Sequence, residues 1–206
     1  CLLFEIYRPQ KAYLVIDDTG RPRSKAVKAL GFVFKTLCKV TKGYILAQNV
    51  VFVCLVTDRF TIPFAFGFYV PDPKIKDWQK KVKFLKKKDV PKKDLPAKPD
   101  RSYDYPSRID MCEALLIDVR TLLTDVDKYL QRSILTYKSI VIKAVVAYAA
   151  YMSPAMCRYV KKLFGVIFIS QLKSNQKCQG QGVEISLSDY FAKLPVEKIK
   201  TKIRGK

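Results

Sequence analysis

The sequence predicts a mixed α/β fold, in which helices pack on one mixed β-sheet. β-Rich runs come first, and helical and β-rich segments then alternate, so that the predicted order is β-β-β-α-β-α-β. An antiparallel meander followed by such alternation is typical of a mixed sheet. Hydrophobic residues make up 49% of the 206 residues, which is enough to build a buried core.

The first strand is predicted at residues 12–17, where Tyr13-Leu-Val-Ile runs directly into Asp17 and Asp18, followed by Thr19 and Gly20. Burying an unpaired carboxylate is costly, so acids at the end of a buried strand usually meet a metal ion, a base or water. The simpler interpretation is a strand that ends in an Asp-rich turn, because Asp, Thr and Gly all favour turns.

A short, irregular strand and two longer β-rich runs follow in the first half of the chain, and the two longer runs complete the β-β-β of the predicted order. Residues 19–43 are basic, and we expect a loop there that leads into a short, irregular strand at 31–37. A long strand is predicted at 44–57, and an aromatic-rich strand at 60–70. Pro63 places part of this last strand at an edge or at its start, because proline donates no backbone hydrogen bond.

Residues 71–107 differ sharply in composition, with six prolines and a lysine-dense run. This pattern predicts an extended, basic connection on the surface, with at most one short helix. A solvated linker and a phosphate-binding segment are equally supported interpretations. For the second, the candidate nucleic-acid ligands are Lys80, Lys81, Lys83, Lys86, Lys87 and Lys88.

The second half of the chain alternates between the two periodicities. Apolar residues at spacings of three and four predict a helix over 109–136, and a β-branched run predicts a buried strand at 139–147. A helix beginning at Pro154 and ending near 163 follows, and then a strand at 165–172. Residues 178–206 begin a further β-rich segment, with a strand-like run at 183–187.

Charge and composition limit the possible functions. Lys and Arg total 39 against 18 Asp and Glu, and the net charge of +21 points to a polyanionic partner. The chain has no histidine and its six cysteines form no C-x-x-C pair, which excludes the usual zinc patterns and His-dependent triads. No uninterrupted apolar run is long enough to cross a membrane. We therefore expect no membrane partner and a reducing, cytoplasmic setting.

The order of these elements is that of the RNase H-like fold, and several motifs resemble the catalytic core of cut-and-paste insertion-sequence DDE transposases. The resemblance covers nearly the whole chain. It is carried by Val-Ile-Asp-Asp-Thr-Gly at 15–20, the long strand from Tyr44, Ile-Pro-Phe-Ala-Phe at 62–66, Ala-Val-Val-Ala-Tyr at 144–148 and Phe-Ile-Ser-Gln-Leu at 168–172.

The resemblance implies DNA strand cleavage and transfer during DNA transposition, with DNA as the partner and two Mg²⁺ or Mn²⁺ ions as cofactors. A homodimer in a synaptic complex and a nucleoid-associated location on DNA are further implications. It also implies a catalytic core over 1–177 and the truncated start of a β-rich insert over 178–206. We accordingly expect the chain to be a fragment.

Carried over position by position, the first catalytic acid falls on Asp17, with Asp18 as its neighbouring metal ligand. The second acid falls on Tyr148, whose phenol has an ordinary pKa of about 10 and is a poor, neutral ligand for Mg²⁺ at pH 7. The third acid is expected beyond Lys206. The resemblance therefore implies a catalytic core that is inactive as it stands.

Two other classes of protein remain open. The charge supports equally well a non-catalytic, basic nucleic-acid-binding or ribosome-associated module, whereas the strand ending in Asp17 and Asp18 favours the transposase lineage. A membrane-surface protein requires a basic amphipathic helix, and the predicted helix at 109–136 has a partly acidic outer face instead.

Overall fold

The computed structural model describes residues 2–24, 30–38, 41–134, 136–171, 177–180, 183–186, 189 and 192. Within them, an open, mixed six-stranded sheet carries packed helices, which confirms the predicted mixed α/β class. No helix in this part of the chain is long and apolar enough to span a membrane.

The strands of the main sheet alternate with helices in the second half of the chain. The strands are β1 (Lys11–Arg23), β2 (Val33–Leu37), β3 (Tyr44–Val56), β4 (Thr61–Tyr69), β5 (Val141–Ala147) and β6 (Ile167–Ser170). The helices are α1 (Leu2–Tyr7), α2 (Pro73–Lys86), α3 (Arg108–Ser133) and α4 (Pro154–Phe164), with 3-10 turns at Lys92–Asp94 and Ala149–Tyr151. A separate hairpin consists of β7 (Lys177–Gly180) and β8 (Val183–Ser186).

The long strand β3 organises the antiparallel half of the sheet. It pairs with β1 along one side, and with β2 and then β4 in succession along the other. β1 in turn pairs with β5, and β5 with β6, both in parallel. The sheet therefore changes from antiparallel to parallel at β1.

The core lies against one face of this sheet. Alternate residues of β1 and β3, such as Leu14, Ile16 and Val53, are at most 1% exposed, because successive strand residues point to opposite faces. The apolar stripe of α3 and one side of α4 pack in the same cluster, represented by Leu116 and Val160. Burial of this stripe, rather than helix propensity alone, stabilises the helices.

The predicted end of the first strand at residue 17 is wrong. β1 continues to Arg23, because residues 17–23 pair with residues 46–52 of β3 in an unbroken antiparallel register. Gly20 and Pro22 indicate a turn on local grounds, yet both lie inside the strand. Tertiary pairing with a long partner strand has overridden the local turn preference.

The segment 71–107 is also more ordered than its composition predicts, and the extended conformation is wrong for residues 73–86. α2 is fourteen residues long and begins at Pro73 after the N-cap Asp72. The buried Asp72 carboxylate accepts hydrogen bonds from the backbone N–H groups of Lys74 at 2.8 Å and Ser102 at 2.7 Å. The Trp78 indole N–H donates to the carbonyl of Pro96 at 2.8 Å. These contacts fold the connection back onto α2.

The ends of α3 and α4 follow ordinary capping chemistry. Ser107 and Asp110 form a reciprocal capping box at the start of α3, and the Ser153 hydroxyl caps α4. α4 ends at Gly165, whose φ of 72° lies in the left-handed region that favours glycine. The predicted bounds of both helices are correct to within a few residues.

Candidate functional site

Asp17 and Tyr148 lie side by side on two neighbouring strands, β1 and β5. β1 and β5 pair in parallel with Ile16 opposite Ala147, the last residue of β5, and each candidate is the next residue along its strand. Asp17 therefore lies beside the end of β5. The site differs from the prediction in that only β5 ends there, since β1 continues past it.

Asp17 and Asp18 do not converge on one point. They are consecutive residues of an extended strand, so their side chains leave opposite faces of the sheet. Asp17 is exposed and lies opposite Phe52 of β3, whereas Asp18 lies opposite the fully buried Val51. Their joint ligation of a metal ion stays a prediction, and the local geometry does not favour it.

The Asp18 carboxylate is already engaged by two side chains on the helix-covered face. The Tyr151 hydroxyl donates a hydrogen bond to Asp18 Oδ1 at 3.0 Å, and Arg108 Nη2 lies 3.7 Å from Oδ2. Tyr151 is 1% exposed, and burial together with the nearby charge of Asp18 raises its pKa well above the ordinary value. The phenol therefore stays protonated and acts as a donor to Asp18.

Arg108 occupies an electrostatically unfavourable position that its neighbours offset. It is the first residue of α3, where the helix dipole disfavours a positive charge. Its guanidinium lies 4.6 Å from the centroid of the Tyr69 ring and ion-pairs with Asp18. Its buried Nε has no hydrogen-bond partner among the described residues. The Asp18–Tyr151–Arg108 cluster is thus a structural link between β1, α3 and the turn after β5.

The residues at this edge do not supply the donor set that two divalent ions require. Two-ion phosphoryl-transfer sites are built from several fixed anionic oxygens. Here Asp17 is the one exposed carboxylate, Tyr148 is a phenol, and burial raises the pKa of the Cys112 thiol near Asp18 to about 12. No group of three or more Cys, Asp or Glu in the described part of the chain is arranged to hold a metal ion.

The predicted lysines form an exposed cationic surface on α2 and just beyond it. All six of them are exposed. The spacing of Lys80, Lys83 and Lys87 places these three on one side of the helix axis. Lys80 pairs with Asp77 at 2.8 Å, and Lys88 Nζ lies 4.6 Å from the centroid of the Phe84 ring. The remaining charges face solvent, as phosphate contacts require.

A second cationic site was not predicted from the sequence. A groove of about 630 Å³ at the start of β1 is lined by the cations of Arg8, Lys11 and Arg59, with Tyr13 and Asp58 beside them. Its basic residues come from the segment after α1, from β1 and from the turn between β3 and β4. Only the pairing of β1 with β3 brings them together, so no local sequence pattern indicates the groove.

No family model, curated protein or solved structure matches this chain. A functional assignment therefore depends on the chain's own residues, charge and topology.

Proposed function

We propose that this chain is a DNA-binding catalytic-core domain of the insertion-sequence DDE transposase type, with an RNase H-like fold, which binds DNA but does not cleave it. One observation carries the proposal. The parallel register of Ile16 with Ala147 puts Asp17 and Tyr148 beside each other, as two positions that share a metal site would require.

The strand order supports the fold in this proposal. Reading from β4 through β3 and β1 to β5 and β6, three antiparallel strands are followed by two that run parallel to β1. This arrangement is compatible with the RNase H-like fold that the resemblance implies. β2 adds to it by extending the paired length of β3 beyond β4.

The chemistry of the two positions supports binding without cleavage. In the proposed lineage, paired carboxylates hold two cations that activate the attacking oxygen and stabilise the leaving oxygen. Tyr148 has a phenol in place of a carboxylate, and Asp18 is held by Tyr151 and Arg108. Asp17 is therefore the one carboxylate among the described residues at this edge that is available to a cation.

The charge supports DNA as the partner. A net charge of +21 greatly exceeds what solubility requires, and a cluster of exposed lysines on one helix is a suitable surface for phosphates. Contacts of this kind are insensitive to base sequence. A homodimer on DNA and a nucleoid-associated location would follow from the proposal.

The first test is the salt dependence of binding to duplex DNA. We expect the affinity to fall linearly with salt on logarithmic axes, and the slope to decrease by about 0.9 for each phosphate contact that is lost. Replacing Lys80, Lys83 and Lys87 by Gln should therefore flatten the slope by up to about 2.7. Replacing the exposed Lys128, Lys138 and Lys162 by Gln removes the same charge elsewhere and should change the slope less.

Binding that does not weaken between low and moderate salt would refute the DNA proposal. Equal affinity for structured RNA and for duplex DNA, with the same lysine dependence, would favour the basic ribosome-associated module instead. Both results come from one titration series, with fluorescence anisotropy as the readout.

The second test concerns cleavage. We expect no nicking of supercoiled plasmid in Mg²⁺ or Mn²⁺, because the fixed carboxylates are too few. Tyr148→Asp should increase Mn²⁺ affinity in isothermal titration, since it places a second hard oxygen ligand beside Asp17, and Tyr148→Asn is the uncharged control. Metal-dependent nicking by the unaltered chain, abolished by Asp17→Ala, would show that the site is complete and would overturn the proposed inactivity.

A further inference from the structure

In the part of the chain that the structure describes, the sheet face opposite the core carries exposed aromatic side chains. Gln48 of β3, on the same face, is buried and hydrogen-bonds Arg23 and the Gly31 carbonyl. The buried residues of α1, α3 and α4 all belong to the cluster on the other face. Because strand residues alternate, Tyr13, Tyr44, Phe66 and Phe68 point away from that cluster, and Phe66 is 62% exposed. Large rings left in water on this scale indicate a binding surface.

The aromatic rings of β4 are arranged as a platform. Phe68 stacks face to face on Phe32, with ring centroids 5.1 Å apart and an interplanar angle of 3°. Phe66 meets Phe68 edge to face at 6.1 Å. Phe66 also lies opposite Phe52, which lies opposite Asp17, so the platform and the exposed carboxylate occupy one row across three strands.

Cations lie at both ends of this face. At the start of β1, Tyr13 borders the groove that contains Arg8, Lys11 and Arg59, with Asp58 as the one acid lining it. At the other end, Lys35 Nζ lies 5.3 Å from the centroid of the Tyr44 ring. The face therefore combines flat apolar rings with flanking positive charge, and a ligand that matches both is anionic and aromatic.

We propose that this open face binds single-stranded nucleic acid. The bases stack on Tyr13, Phe66 and Phe68, and the phosphates contact the groove of Arg8, Lys11 and Arg59. A duplex keeps its bases stacked on one another, so only an unpaired strand offers base faces to these rings. Tyr13 and Asp17 are four residues apart on β1, about 13 Å. A nucleic-acid strand whose base stacks on Tyr13 therefore also passes the Asp17 carboxylate.

This inference rests on the proposed DNA-binding function and specifies which form of DNA meets the Asp17 edge. The lysines of α2 would hold duplex phosphates, whereas the open face would hold an unpaired strand. Asp17 is the acid in the aromatic row, so it repels a phosphate there when no cation is bound. Asp17→Asn should therefore tighten single-strand binding in the absence of divalent ions.

The test compares a fluorescein-labelled oligothymidylate of twelve nucleotides with a twelve-base-pair duplex by anisotropy, in EDTA. Phe66→Ala combined with Phe68→Ala should weaken oligothymidylate binding by about five-fold or more, since base–aromatic stacking contributes about 1–3 kcal/mol per base. Duplex affinity and the salt slope should stay unchanged. The control is Tyr129→Ala, which removes a half-exposed ring from α3. Urea unfolding establishes that each variant is folded.

Several results would overturn the inference. Equal loss of single-strand and duplex binding in the Phe66 and Phe68 variant would refute a single-strand platform, as would no loss of either. A dimer that Phe66→Asp dissociates in sedimentation, with oligothymidylate binding unchanged, would show that a second copy of the chain covers this face. If duplex binding depends on Lys80, Lys83 and Lys87 but the aromatic variants bind oligothymidylate normally, only this inference is refuted. Aromatic-dependent single-strand binding without duplex binding refutes the proposed function alone.

Discussion

The helix-covered face and the open face of the sheet are built from alternate residues of the same strands, but their side chains differ in chemistry. On β1, Leu14 and Ile16 enter the core, whereas Tyr13 just before them and Asp17 just after them are exposed. The same division separates the two neighbouring acids, since Asp18 is linked to Tyr151 and Arg108 and Asp17 faces solvent. Stability is therefore expected to depend on one face and ligand binding on the other.

The largest expected difference in stability between the two faces comes from removing one large side chain from each. Leu116→Ala on α3 should destabilise the protein by about 2–5 kcal/mol, because Leu116 is fully buried and its loss leaves a cavity. Phe66→Ala should cost less than about 1.5 kcal/mol, mainly its edge contact with Phe68. Urea denaturation measures both. Equal losses would show that the open face is a second core.

A smaller effect on stability is expected from removing one tyrosine hydroxyl at a buried position and one at an exposed position near the end of β5. Tyr151→Phe should cost about 1.5–3 kcal/mol, because it removes the buried hydrogen bond to the Asp18 carboxylate. Tyr148→Phe, at a half-exposed position three residues earlier, should stay within about 0.5 kcal/mol of the unaltered protein. A large cost for Tyr148→Phe would mean that this phenol has a structural partner of its own.

The smallest expected effect on stability concerns a buried and an exposed acid at α2. Backbone hydrogen bonds, chiefly from Ser102 and then from Lys74, hold the pKa of the Asp72 carboxyl below its ordinary value. A depressed pKa contributes stability above about pH 4 that is lost as the pH falls through the folded-state value. Asp72→Asn should thus be less stable than the unaltered chain at pH 7, and the difference should shrink in acid. Asp77→Asn, at an exposed position on the same helix, is the control for the loss of a carboxylate.

Patterns within one element were predicted well from the sequence. The bounds of β3, β4, α3 and α4 follow from local periodicity and capping, and they agree with the structure to within a few residues. α2 was underestimated because six prolines and many lysines obscured a start signal, the Asp72 N-cap followed by Pro73. The six-residue helix α1 and the short strand β7 were not predicted, since each is too short to show a period.

Features that depend on pairing between distant segments could not be predicted locally. The continuation of β1 past Asp17 depends on β3, which supplies partners for residues that otherwise favour a turn. The assignment of Asp17 and Asp18 to different faces follows from that continuation. The groove of Arg8, Lys11 and Arg59 likewise exists only after the sheet has formed. The predicted insert over 178–206 lies mostly outside the described residues, and its boundary stays a prediction.

The parallel pairing of β1 with β5 also has a consequence for the order of folding. Lys11 pairs with Val141, so this contact closes a loop of about 130 residues, whereas the β1–β3 and β3–β4 pairings close far shorter ones. During synthesis, the antiparallel meander can form before β5 has left the ribosome. One edge of β1 then carries unpaired backbone groups, which invite pairing with another nascent chain. The neighbourhood of Asp17 and Tyr148 is completed last. Slowing translation lengthens the time for which this edge is unpaired, so it should lower the yield of correctly assembled protein.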